Sequence, residues 1–90
     1  DELHLPELVY WASLGEIAEV ERSLAQGIDV NQIDDEGYSA LHAAAENGYL
    51  EIVKLLIHHG ANVHYKAEYT ALALAEMAEQ HDIVDYLKQL

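Results

Sequence analysis

The stretch GYSALHAAAENGYLEIVKLLIHHGANV, from Gly37 to Val63, decides the fold. From Ser39 the residues Leu41, Ala44 and Ala45 recur at helical spacing and lay a narrow stripe of small apolar groups along a short helix. Gly48 ends that helix, because glycine takes up a left-handed backbone at little cost. Leu50, Ile52, Val53, Leu55, Leu56 and Ile57 then give a second helix a wide apolar face, and Gly60 closes it. The flanking segments IDVNQIDDEGY and ANVHYKAEY are too polar and short for strands of their own. They suit extended arms joined by a tight turn, with Gly37 placed for the positive dihedral angle. A unit of this kind alone leaves its broad second-helix face in water, so it needs neighbours.

The neighbours are in the same chain. At an offset of 33 residues Gly15 matches Gly48, Gly27 matches Gly60, Leu8 matches Leu41, Ala12 matches Ala45, and Val20 and Val30 match Val53 and Val63. At an offset of 31, Tyr38 matches Tyr69, Ser39–Leu41 matches Thr70–Leu72, and Ile52-Val53 matches Ile83-Val84. These offsets predict three tandem units, spanning residues 4–33, 34–66 and 67–90 of one domain.

Composition narrows the function. With 17 Asp and Glu against four Lys and Arg, the formal net charge is −13. Such a chain repels nucleic-acid phosphate and anionic lipid, whose recognition needs clustered cations, and attracts a basic protein surface. The same charge also serves solubility and opposes self-association, which predicts a monomer. There is no cysteine, so disulfide and thiol chemistry are excluded and a reducing, cytoplasmic setting fits. No apolar run approaches the roughly 18–20 residues of a membrane span, and the opening DELHLPEL has no signal-peptide pattern. The sequence begins without Met, which reads as a chain trimmed or cut from a longer one.

The middle unit, read as Gly37, Ser39-Ala40-Leu41-His42, Ala44-Ala45, Gly48, Ile52-Val53, Leu55-Leu56 and Gly60-Ala61-Asn62-Val63, resembles the ankyrin-repeat family, and the resemblance covers essentially residues 8–87. It implies an all-α solenoid of stacked helix-turn-helix units with projecting turns. The departures are positional. Ala40 stands where the family has proline, and unit one has Pro6-Glu7-Leu8-Val9 and lacks the histidine. Arg22 and Ser23 replace Leu55 and Leu56, as in an N-terminal cap. Unit three has Glu79-Gln80 at the inter-helix turn and a connector two residues shorter, so its projecting turn is expected to be stubbier. Trp11, at the position of Ala44, is expected to plug the open N-terminal end.

Candidate chemistry is thin. His42 is expected to bond the Ser39 hydroxyl and nearby backbone, a structural role. His58, His59 and His64 fall short of a fixed metal site, because adjacent histidines point to different faces and such a site wants three or four ligands. The paired carboxylates lack the cleft that would split their pKa values. No cofactor, metal or catalytic residue is assigned. The resemblance instead implies non-catalytic protein binding through the turn tips and first helices. On the tip these are the three successive carboxylates Asp34, Asp35 and Glu36 and an exposed Tyr38, with Tyr69 as its counterpart. On the helices they are Tyr10, Ser13 and Leu14, then Ala43, Glu46 and Asn47, then Leu74, Met77 and Ala78. The partner expected is a protein with a basic patch. Two other readings stay open: an immunity-type inhibitor that occludes the basic cleft of a toxin or nuclease, and a spacer or engineered scaffold with no partner of its own.

Self-repulsion at this net charge makes stability salt-dependent. Raising sodium chloride from about 10 mM to about 150 mM shortens the screening length from about 30 Å to about 8 Å. The thermal midpoint is expected to rise; a flat or falling midpoint would remove self-repulsion as a major term.

Overall fold

The computed structural model describes residues 7–90. Six helices follow in order: α1 (Glu7–Leu14), α2 (Ile17–Ala25), α3 (Ala40–Asn47), α4 (Leu50–His58), α5 (Ala71–Met77) and α6 (His81–Lys88). They pair as α1 with α2, α3 with α4 and α5 with α6, and the pairs stack in chain order. Pro6 lies outside the described residues.

The first helices α1, α3 and α5 make one layer and the second helices α2, α4 and α6 the other, with the first helices stacked more closely. Side-chain size accounts for this. Ala12, Ala40, Ala44, Ala45, Ala71 and Ala75 are all at most 1% exposed, and a methyl group lets helix backbones approach. Between the layers sit Leu8, Leu41, Leu56 and Ile83, each essentially inaccessible to solvent. Burial of a side chain of this size contributes about 1.5–3 kcal/mol.

Local chemistry starts and stops each helix. Ser39 is extended at the N-cap of α3 and its Oγ accepts from the His42 N–H at 3.2 Å; Thr70 does the same for α5, accepting from Ala73 N–H at 3.1 Å. The inter-helix turns are the same turn three times. Glu16 N–H donates to Trp11 O, Tyr49 N–H to Ala44 O and Gln80 N–H to Ala75 O, at 2.9 to 3.1 Å. That geometry needs a left-handed residue just before each donor. Gly15 and Gly48 supply it in the first two turns, and Glu79 holds it at φ 61° in the third. Absence of the third glycine therefore changes the residue and leaves the backbone unchanged. The first two glycines also give the next unit a seat. A Cβ on Gly15 would fall 2.7 Å from the Tyr49 ring, and one on Gly48 2.6 Å from the Gln80 amide.

The arms before α3 and α5 are pinned by single antiparallel bridges, Ile33 with Ser39 and Lys66 with Thr70. The second encloses fewer residues, so the third-unit turn is shorter, as the sequence implies. Trp11 is half-buried against the core, Arg22 is exposed, and Ser23 is buried in place of Leu56.

A left-handed non-glycine residue costs about 1–2 kcal/mol, part of which glycine returns as extra chain entropy. Glu79→Gly is expected to stabilise the chain by about 1 kcal/mol in urea denaturation; a loss of stability would contradict this account of the turn.

Candidate protein-binding surface

The projecting turn of the middle unit is organised by one side chain. Asp34 N–H donates to Tyr38 O at 2.9 Å and Gly37 N–H to Asp34 O at 3.0 Å. The Asp34 carboxylate, through Oδ1, accepts from the N–H groups of Glu36 and Tyr38 at 2.9 and 2.8 Å. Asp34 is thus consumed in holding the turn, and Asp35 and Glu36 are left exposed beside it.

Behind the turn lies a buried aromatic and imidazole cluster. His42 is fully buried, with the Tyr38 ring 5.6 Å and the Tyr65 ring 5.4 Å from its own. Its Nε2 lies 2.8 Å from the Tyr69 carbonyl oxygen and its Nδ1 2.7 Å from Ser39 Oγ. A carbonyl can only accept, so Nε2 carries the proton and Nδ1 accepts from the Ser39 hydroxyl. The Tyr65 hydroxyl donates to Gly37 O at 2.8 Å. His42 therefore ties the second unit to the start of the third. Ser39 and His42 are both buried and their polar atoms are occupied by each other and by backbone, so the pair reaches no substrate.

Tyr38 is half-buried, against the expectation of an exposed ring, because it lies over His42. Burial raises the pKa of its phenol, and the carboxylates of Glu46, Glu68, Glu36 and Asp34 raise it further. The negative field at Tyr38 thus comes from its own turn, from α3 and from the next turn. Glu68 was not among the residues singled out from the sequence. It sits 31 residues after Gly37, so the repeat offset was the signal that could have found it.

On the first helices, Tyr10 and Leu14 of α1, Glu46 and Asn47 of α3, and Met77 of α5 are exposed, as is the Tyr69 side chain just before α5. Ser13 is half-buried and its Oγ donates to Tyr10 O at 2.7 Å; Asn47 Nδ2 donates to Ala43 O at 2.8 Å. Two expectations are corrected here. Leu74 is only 4% exposed and Ala43 only 5%, so neither offers a contact.

Among the described residues no group of three or more His, Asp or Glu is arranged to hold a metal ion. His59 Nδ1 lies 3.0 Å from the Leu55 carbonyl oxygen, a helix-end contact. No helix is long and apolar enough to cross a membrane among the described residues.

Stacked helix pairs with alanine-lined first helices and projecting turns define a helical repeat array. Residues 8–90 match the family model for ankyrin repeats (3 copies), and the chain belongs to the ankyrin-repeat family. It is similar to protein phosphatase 1 regulatory subunit 27 of Mus musculus, 37% identical over 79 residues, which are 84% of this chain and 51% of that protein. It is also similar to ankyrin repeat domain-containing protein 49 of Bos taurus, 42% identical over 60 residues, 64% of this chain and 25% of that protein. An acyl-CoA-binding domain-containing protein 6 homolog of Dictyostelium discoideum is 40% identical over 58 residues, 63% of this chain and 20% of that protein. The chain thus spans between a fifth and about half of these relatives. Ankyrin repeats are protein-interaction modules and are typically non-catalytic.

Burial lowers the His42 pKa below its ordinary value, against smaller opposing contributions from the Tyr69 carbonyl, Asp34 and Glu46. The folded state thus favours the neutral ring. Stability from this group is complete above the unfolded-state value of about 6.5 and is lost as pH falls below it toward the lower folded-state value. Between about pH 7.5 and about pH 5.5, the stability advantage of wild type over His42→Gln is expected to shrink in urea denaturation. An advantage that stays constant or grows would contradict a neutral buried ring.

Proposed function

We propose that residues 1–90 act as one monomeric, three-unit domain that binds a protein bearing a basic patch, without catalysis, in the cytoplasm. The observation that carries this reading is the gathering of Glu36, Glu46, Glu68 and Asp34 around Tyr38. A turn fixed by Asp34, with Asp35 and Glu36 exposed on it, presents charge that needs no reordering on docking. The exposed Tyr10, Leu14, Tyr69 and Met77, with Ser13 and Asn47 between them, supply apolar and polar contact beside that charge. The lack of cysteine supports a reducing compartment, and the net charge of −13 supports a monomer.

The test is capture at low salt on the immobilised chain, beside a bait carrying Asp35→Lys, Glu36→Lys and Tyr38→Ala. Each captured protein is then purified and titrated against both. The expected result is a basic protein released by salt, with affinity for the substituted chain at least tenfold weaker and an unchanged circular dichroism spectrum. Loss of an interface hot spot costs about 2 kcal/mol or more, which this threshold accommodates. Equal affinity for both baits would move the contact away from the turn tip, and no specific capture would put the spacer reading, with no partner of its own, ahead. If the captured protein is an enzyme or toxin silenced at one-to-one stoichiometry, the inhibitor reading replaces the adaptor reading.

A further inference from the structure

The opposite layer carries a second surface that the turn-tip reading does not use. Wider spacing of α2 and α4 opens a cleft of about 480 Å³ between the second helices. Ile17, Leu55, Ile57 and Tyr86 give it apolar lining, Glu21 and Glu51 add carboxylates, and Lys54 and His58 complete the wall. Ile17 is 38% exposed, at a helix start where it closes no core of its own. A neighbouring cleft of about 500 Å³ shares Ile17 and Glu51 and extends to Leu50 and Asp82. The two adjoin at Ile17 and Glu51 and are together termed the trough.

Charge decides what fits there. The single lysine in the cleft, Lys54, is exposed and lies 3.9 Å from Glu51 and 5.6 Å from the centre of the Tyr86 ring, so its charge is set against its own carboxylate. Glu21 and Asp82 form no ion pair among the described residues. A second copy of this chain would bring a net charge of −13 against these carboxylates, which disfavours self-docking. We propose that this trough docks an amphipathic helix of a partner protein, with leucine-like side chains seated among Ile17, Leu55 and Tyr86 and lysine or arginine reaching Glu21, Glu51 and Asp82. A trough of this size, apolar with charge along it, matches helix-in-groove recognition.

The probe is a synthetic helical peptide with leucines on one face and lysines on the other, titrated into ¹⁵N-labelled chain at about 150 mM salt. Control peptides keep the leucines with a glutamate face, or keep the lysines with serines in place of leucines. Support requires amide shifts centred on Ile17, Glu21, Leu55 and Tyr86, and binding at least tenfold tighter than either control. It also requires a loss of at least fivefold on Ile17→Ser or Glu51→Lys, with Asp35→Lys unaffected. Both positions are exposed, and an unchanged amide spectrum of each variant establishes folding. Shifts centred on Tyr38 and Glu46, equal binding of the leucine-free control, or no binding overturns the proposal. So does a dimer in sedimentation of the chain alone that Ile17→Ser abolishes, because the occupant is then a second copy. The trough variants leave Asp35, Glu36 and Tyr38 intact, so either surface can fail without the other.

Discussion

Everything in this molecule depends on how closely three short helices can approach. A helix of seven or eight residues does not hold together alone in water, and among the described residues none of the three first helices is longer. What sustains them is lateral contact through alanine, from Ala12 through Ala45 to Ala75. Close approach in one layer and bulkier side chains in the other make the stack splay. The looser layer opens the trough on the second-helix side, while the turns project beside the first helices.

The fold was largely legible because its determinants are local and repeated. Ser39 and Thr70 announce N-caps, and Gly15 and Gly48 announce inter-helix turns. The spacing of Leu41, Ala44 and Ala45 announces a buried stripe. Glu79 is the instructive case. Sequence alone registers a missing glycine, whereas the hydrogen bond from Gln80 N–H to Ala75 O keeps the left-handed turn regardless. Tertiary demand outweighs a residue preference of about 1–2 kcal/mol.

The surface was less legible, for reasons of reach. Tyr10, Ala43 and Leu74 are repeat equivalents, yet only Tyr10 is exposed, resting edge-on against Trp11 at 5.0 Å. Periodicity says which way a side chain leaves the helix but not how far the neighbouring helix covers it. Asp34 and Asp35 show the same limit. They are adjacent and chemically identical, but one is spent on backbone N–H groups and the other is free to meet a partner. The trough on the second helices was missed because it belongs to no unit. It exists only between units, where a single-repeat pattern has nothing to record.

The two junctions of the stack are fastened by different materials. Between the first and second units, the Tyr49 ring sits on Gly15, and Asn62 N–H donates to Asn31 Oδ1 at 2.8 Å. Between the second and third, His42 holds the Tyr69 carbonyl and Gln80 Nε2 donates to the Glu46 carbonyl at 3.1 Å. The first fastening is a ring on a glycine beside an amide hydrogen bond, and it holds no imidazole. The second includes an imidazole that acid would charge. Acid therefore loosens the second junction before the first, which gives a chain with nearly repetitive units a polarity in how it comes apart.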